Sequence, residues 1–235
     1  MSIITEDDLA YNNARRVPTV LCIDTSSSMG YNDKQELLNK ALKEFYAELR
    51  NDPLTKYAID ISIIEFNDEL TVREPLFQSI RQGSVPQISK VEGMTHLAEA
   101  VDKGIDLLEE IKELYASRGI GYYQPWLVIL SDGRSEGEDD EYIKKVAARS
   151  SGLEAKQKLT VIPAFIGNPP QSVLDDFSAF SAVSEAQSFD PETLSLFFKW
   201  FSDSLSTVAH SSASNEARIV ASDFAKYRQS MDSIG

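Results

Sequence analysis

An apolar run that closes on a carboxylate constrains this chain more than any other stretch: Val20-Leu21-Cys22-Ile23 is followed at once by Asp24, Thr25, Ser26, Ser27 and Ser28. A short continuous apolar run predicts a strand buried on both faces, as in a parallel sheet covered by helices. Ligands of open α/β sheets sit beyond the carboxyl ends of the strands, near the point where strand order reverses. Asp24, Ser26 and Ser28 therefore fall where such a sheet does its chemistry. A second strongly apolar run, Trp126-Leu127-Val128-Ile129-Leu130, ends in Ser131-Asp132-Gly133.

Between and after these runs, strands and helices alternate. A helix is expected from Asn32 or Asp33, either of which would cap it, to about Arg50, with Leu37, Leu38, Ala41, Leu42, Phe45, Tyr46 and Leu49 at helical period. Residues 57–66 read as a second strand. Asn67-Asp68 reads as a tight turn into a short antiparallel edge strand over residues 70–73. Residues 74–92 are polar and read as an irregular surface loop. Gly93-Met94-Thr95 then leads into a helix carrying Leu97, Val101, Ile105, Leu108 and Ile111 on one face. After the second apolar run come an acidic turn entering a helix to about Leu153, a buried strand over residues 159–166, a short helix over 173–180 and a weak strand over 182–186. The last helix runs from about Pro191 to about Val208 on a stripe of Leu194, Phe197, Phe198, Phe201, Leu205 and Val208. This alternation specifies a doubly wound, Rossmann-like α/β sandwich. Its sheet is mostly parallel and six-stranded with one antiparallel edge strand, and helices cover both faces. The expected organisation is a leader over residues 1–16, one domain over 17–209 and a tail over 210–235.

The 235 residues are enough for one well-buried domain, and the formal charge of −14 argues against nucleic acid and against anionic membrane surfaces. The single cysteine, Cys22, lies inside the first apolar run and reads as core packing in a reducing compartment. No apolar stretch resembles a secretory signal or approaches the length of a membrane span, so a cytoplasmic address is expected.

Three loop segments offer oxygen ligands: Asp24-x-Ser26-x-Ser28, Thr95, and Asp132. Neighbouring strands in a doubly wound sheet would set Asp24 beside Asp132, and two such carboxylates repel unless a cation lies between them or one takes a proton. The donors are all hard oxygens, which suits Mg²⁺ or Mn²⁺ over zinc, with Ca²⁺ a further option. If the carboxylates bind partly through water, one coordination position stays open for a partner's oxygen. Each signal alone has a plainer meaning: Ser26 and Ser28 as turn hydroxyls, Thr95 as an N-cap, Asp132-Gly133 as a turn pair. Their joint occurrence at strand ends is what makes a site.

Asp24-Thr25-Ser26-Ser27-Ser28, Gly93-Met94-Thr95 and Ser131-Asp132-Gly133 together resemble the metal-ion-dependent adhesion site of von Willebrand factor type A (vWA) domains, over roughly residues 17 to 208. The resemblance implies that Ser26, Ser28 and Thr95 approach the ion by hydroxyl, and that Asp24 and Asp132 act directly or through water. Phe197-Phe198-Lys199-Trp200-Phe201 and Tyr123-Gln124-Pro125-Trp126 further resemble the tellurite-resistance-associated (TerY-like) bacterial vWA proteins. That narrower likeness implies a cytoplasmic adaptor of a stress-response system, in some cases alongside a protein kinase and a phosphatase. Met29-Gly30-Tyr31-Asn32-Asp33 departs from the small-residue loop usual in that group.

The expected function is a metal-dependent protein-binding module, not an enzyme, that takes a Glu or Asp side chain from another protein. Met29, Tyr31, Met94 and His96 would form the rim, although Met29 and Met94 can equally pack beneath the loops. The alternative is a Mg²⁺-dependent phosphohydrolase with Asp24 as nucleophile. It lacks an acid–base residue, since position 26 is Ser, and has only Arg134 or Lys34 for the phosphoryl group. Serine-nucleophile hydrolysis would need His96 as base and has no Gly-x-Ser-x-Gly elbow.

Overall fold

In the computed structural model, which describes residues 14–73, 77–81, 84–88 and 91–211, the first apolar run is the central strand β1, Val17–Asp24, buried along its whole length. It is followed by a 3₁₀ turn over Ser27–Gly30, helix α1 (Lys34–Asn51), one-turn helix α2 (Thr55–Ala58), β2 (Ile59–Phe66) and β3 (Leu70–Val72). Then come β4 (Gln78–Ser79), α3 (Leu97–Ser117), β5 (Trp126–Ser131), α4 (Asp140–Ala155), β6 (Thr160–Ile166), α5 (Gln171–Ser178), β7 (Gln187–Phe189) and α6 (Leu194–His210). The sheet order is β3-β2-β1-β5-β6-β7, parallel except for the β3 edge. The two-residue β4 prolongs that edge, also antiparallel to β2. Six strands in a doubly wound arrangement match the expectation, with β4 as a short addition.

Alternate residues of the central strands face two separate cores. On one side, Leu21 and Ile23 of β1 meet Leu42 and Phe45 of α1 and Phe197, Phe198 and Phe201 of α6. The Phe45 and Phe201 rings stack at 5.1 Å. On the other side, Val20 and Cys22 meet Ala100, Val101 and Ile105 of α3, together with residues of α4 and α5. Cys22 is fully buried, and burial pushes its thiol far above the ordinary range, so it packs and does not react. α3 approaches β1 and β5 closely at Gly104, where a Cβ would stand 2.7 Å from Leu127 Cδ1.

Several expectations need correction. The weak strand expected over residues 182–186 is a turn, and the strand lies at β7 instead. The turn's amides are taken by side chains: Glu154 Oε2 accepts from Ala182 N at 2.8 Å, and Ser181 Oγ accepts from Ser184 N at 2.7 Å. The 74–92 segment is not wholly on the surface, because Phe77, Ile80 and Ile88 are buried. The Asn39 side chain of α1 grips Ile88 through both its amide and its carbonyl, each at 2.8 Å. Asp33 occupies the position before α1 in left-handed conformation and makes no side-chain cap. Arg16, at the end of the expected leader, is buried and pairs with Asp60 at 3.3 Å. The rest of the leader up to residue 13, and the tail from residue 212, lie outside the described residues. Among the described residues, no helix is long and apolar enough to cross a membrane.

Candidate metal centre

Strand order reverses between β1 and β5, since the chain winds outward from β1 through β2 to β3 and then returns to β5 on the other flank of β1. Ile23 is paired with Leu130, so Asp24 and Ser131 leave the sheet side by side. Ser131 Oγ donates a short hydrogen bond to Asp24 Oδ2, and Ser26 N donates to Oδ1 at 2.7 Å. Ser26 Oγ lies 3.1 Å from Ser28 Oγ, which in turn donates to Asp132 Oδ1 at 2.6 Å. A hydrogen-bonded run therefore joins β1 to the end of β5, through the Ser26 amide at its first link and hydroxyls at the next two.

The Thr95 segment is fastened to both of these loops by backbone hydrogen bonds. Glu92 N donates to Thr25 O at 2.9 Å, Ser27 N to Gly93 O at 3.2 Å, and Glu136 N to Thr95 O at 2.8 Å. Gly93 makes the turn at φ +77, with the Asp68 carboxylate where a Cβ would lie. Thr95 is buried, and its Oγ1 stands 3.5 Å from the Cβ position of Gly133, beside Asp132. It is not an N-cap: α3 begins at Leu97, and its first amides are capped from the acidic loop. Glu138 accepts from Ala98 N at 2.9 Å and from Glu99 N at 2.7 Å.

Asp24 and Asp132 both have fully buried side chains. Burial pushes the Asp24 carboxyl up to about 6; hydrogen bonds from Ser131 and Ser26 oppose the rise, and the charge of Asp132 adds to it. Charge compensation comes from Lys34, at the start of α1, whose Nζ forms a short ion pair with Asp132 Oδ2 and lies 3.4 Å from Ser28 O. Among the described residues, no three His, Cys, Asp or Glu side chains are grouped to hold a metal ion. A metal here would need the hydroxyls. The donor set fits a hard divalent cation: two carboxylates, the Ser26 and Ser28 hydroxyls within hydrogen-bond reach of one another, and an ammonium standing in for positive charge.

Of the expected rim, Tyr31 is 67% exposed and Met94 is 43% exposed. Met29 is 1% exposed and belongs to the core beneath the loop, which corrects its place on the rim. His96 directs Nδ1 toward Glu99 at 3.4 Å, and its ring, with Met94, covers Gly137. Beyond the Asp132 loop, Arg134 and Ser135 border a cleft of about 410 Å³ shared with Leu97, Ile143 and Phe177. The sequence alone assigns Ser131 no role, offers Lys34 only as a phosphoryl contact in the alternative reading, and shows the acidic segment as a turn entering a helix without its cap on α3.

The fold is that of von Willebrand factor type A domains. A von Willebrand factor type A protein from Catenulispora acidiphila superposes with TM-score 0.59 at 16% identity, over 81% of this chain and 43% of that one. The pilus adhesin SpaC from Lactobacillus rhamnosus GG in its open conformation gives TM-score 0.65 at 11% identity, over 83% and 30%. Proximal thread matrix protein 1 from the mussel byssus, in a form with a zinc-occupied MIDAS motif, gives 0.53 at 15% identity, over 82% and 48%. The chain thus spans less than half the length of these proteins. The sequence itself matches no family profile and no curated protein.

Proposed function

We propose that this chain is a metal-dependent protein-binding module with its centre at Asp24, Ser26, Ser28, Thr95 and Asp132. The observation that carries this reading is the unbroken run of contacts from Asp24 through Ser26 and Ser28 to Asp132 at the strand-order switch, with spacings of 2.6 to 3.1 Å in its hydroxyl links. Ser26, Ser28 and Thr95 would offer hydroxyl oxygens, and Asp24 and Asp132 the negative charge. A bound divalent ion, Mg²⁺ in our reading, supplies positive charge and a coordination position that a Glu or Asp of a partner protein can fill. Tyr31 and Met94, both exposed, would supply the apolar contacts of the rim, suited to a protein surface. Asp24 is fully buried and accepts a hydrogen bond on each oxygen, which suits a ligand held in place better than a nucleophile that must reach a substrate. We therefore place the chain among adaptors, not enzymes. The TerY-like features lead us to a cytoplasmic stress-response system, with a kinase or phosphatase as candidate partner.

Isothermal titration of the chain with Mg²⁺ tests the centre. Wild type is expected to give a saturable heat and Asp24→Ala none. Equal heats from the two proteins would exclude the site. Capture of a partner in Mg²⁺ but not in EDTA tests the adaptor role.

A further inference from the structure

Lys34 has no place among the oxygen donors, yet it is the cation that the described residues bring to them. It occupies the first position of α1, where the helix dipole disfavours positive charge. The two residues before it, Asn32 and Asp33, are both non-glycine and both in the left-handed region at φ 55. Those two are the residue types that take this conformation most readily after glycine, while the dipole does not favour a lysine at the helix start. What holds it is the far end of the side chain, 14% exposed, against an Asp132 carboxylate that is 0% exposed. The same ammonium reaches Ser28 O, so it joins the Ser28 loop to the Asp132 loop.

From this geometry we infer that Lys34 is the resident counter-cation of the metal-free centre, and that a divalent ion binds by displacing its ammonium from Asp132. The inference rests on the metal-binding reading given above. The Oδ2 atom that Lys34 occupies belongs to a carboxylate whose other oxygen is bonded to the Ser28 hydroxyl. A divalent ion drawn to that carboxylate must therefore compete with the ammonium, because two cations side by side repel in a buried site. Lys34 thus does two things. It relieves the repulsion between Asp24 and Asp132 when no metal is present, keeping the loops assembled. It also lowers metal affinity, so that the centre fills only when the ion is abundant. Removing one partner of a buried ion pair normally only destabilises; a residue acting as counter-cation must in addition show the opposite effect on metal binding.

The test is Mg²⁺ titration by calorimetry on the full chain as wild type, Lys34→Gln and Lys34→Arg, with thermal unfolding in EDTA. Lys34→Gln is expected to bind Mg²⁺ about tenfold tighter than wild type, equivalent to about 1.4 kcal/mol. In EDTA it is expected to melt below wild type, and Mg²⁺ should close the gap. Lys34→Arg, whose planar guanidinium can hold a carboxylate with two hydrogen bonds, is expected to bind Mg²⁺ more weakly than wild type. If wild type binds Mg²⁺ and Lys34→Gln binds it no tighter, the counter-cation role is overturned while the metal centre stands. If neither protein binds Mg²⁺, both readings fall. Should Lys34→Gln fail to fold without metal, Lys34→Arg decides, and an affinity equal to or above wild type overturns the inference.

Discussion

Asp52 shows how much one side chain can fix at a junction. Its Oδ1 accepts from Leu54 N at 3.0 Å and from Thr55 N at 2.6 Å, and His210 of α6 reaches Oδ2 at 3.0 Å. Burial alone would raise its carboxyl, but the hydrogen bonds from Thr55, His210 and Leu54 outweigh that effect and hold it well below the usual carboxylate range. A carboxyl depressed in the folded state contributes stability above its unfolded value, about 3.9, and loses it as pH falls through the folded value. Asp52→Ala is therefore expected to cost about 1 kcal/mol near neutral pH, the usual worth of such a cap. Urea denaturation should show the gap between mutant and wild type closing as pH falls below about 4. The candidate centre was legible at Asp24, Ser26, Ser28 and Asp132 because an apolar strand ending in oxygen donors is a pattern local in sequence. Lys34 and Ser131 were not assigned their parts, since their partners lie 98 and 107 residues away and only the sheet register brings them together.

Helix starts around the centre are fixed from outside the helices. Glu138 caps α3 with both carboxylate oxygens, and the next residue, Asp139, caps α4 by accepting from Glu141 N and Tyr142 N. One acidic loop thus orients two helices, and each negative charge sits at the favourable end of a helix dipole. Thr95 lies two residues before the capped end of α3, so the cap also positions a proposed ligand. Glu138→Ala is expected to lower stability by about 1–2 kcal/mol and to weaken Mg²⁺ binding, measured by thermal unfolding and by calorimetry. Unchanged metal affinity in a folded Glu138→Ala protein would separate the cap from the centre. Apolar stripes made the long elements readable, because Leu42, Phe45, Phe197 and Phe201 repeat at helical period and face one core. The short elements were less so. β4 and β7 contain two and three residues, too few for any period to show, and β7 was misplaced where Ser181 and Glu154 hold the preceding turn.

The chain carries a formal charge of −14, which includes the two buried carboxylates of the centre and the one ammonium paired with Asp132. An acidic body draws small cations toward it, and added salt screens that attraction within about 8–10 Å at ordinary ionic strength. Binding that is exclusive to the folded state raises stability by mass action, about 2.7 kcal/mol at a hundredfold excess over the dissociation constant. Mg²⁺ should therefore raise the unfolding temperature of wild type progressively with concentration. The same additions should leave Asp24→Ala unmoved, because that variant lacks a ligand of the centre, whereas a general salt effect on an acidic surface would stabilise both proteins alike. Repeating the series at higher KCl should shift the wild-type curve to higher Mg²⁺ without abolishing it. A rise shared by wild type and Asp24→Ala would mean that the ion acts on the surface charge and not at the strand-order switch.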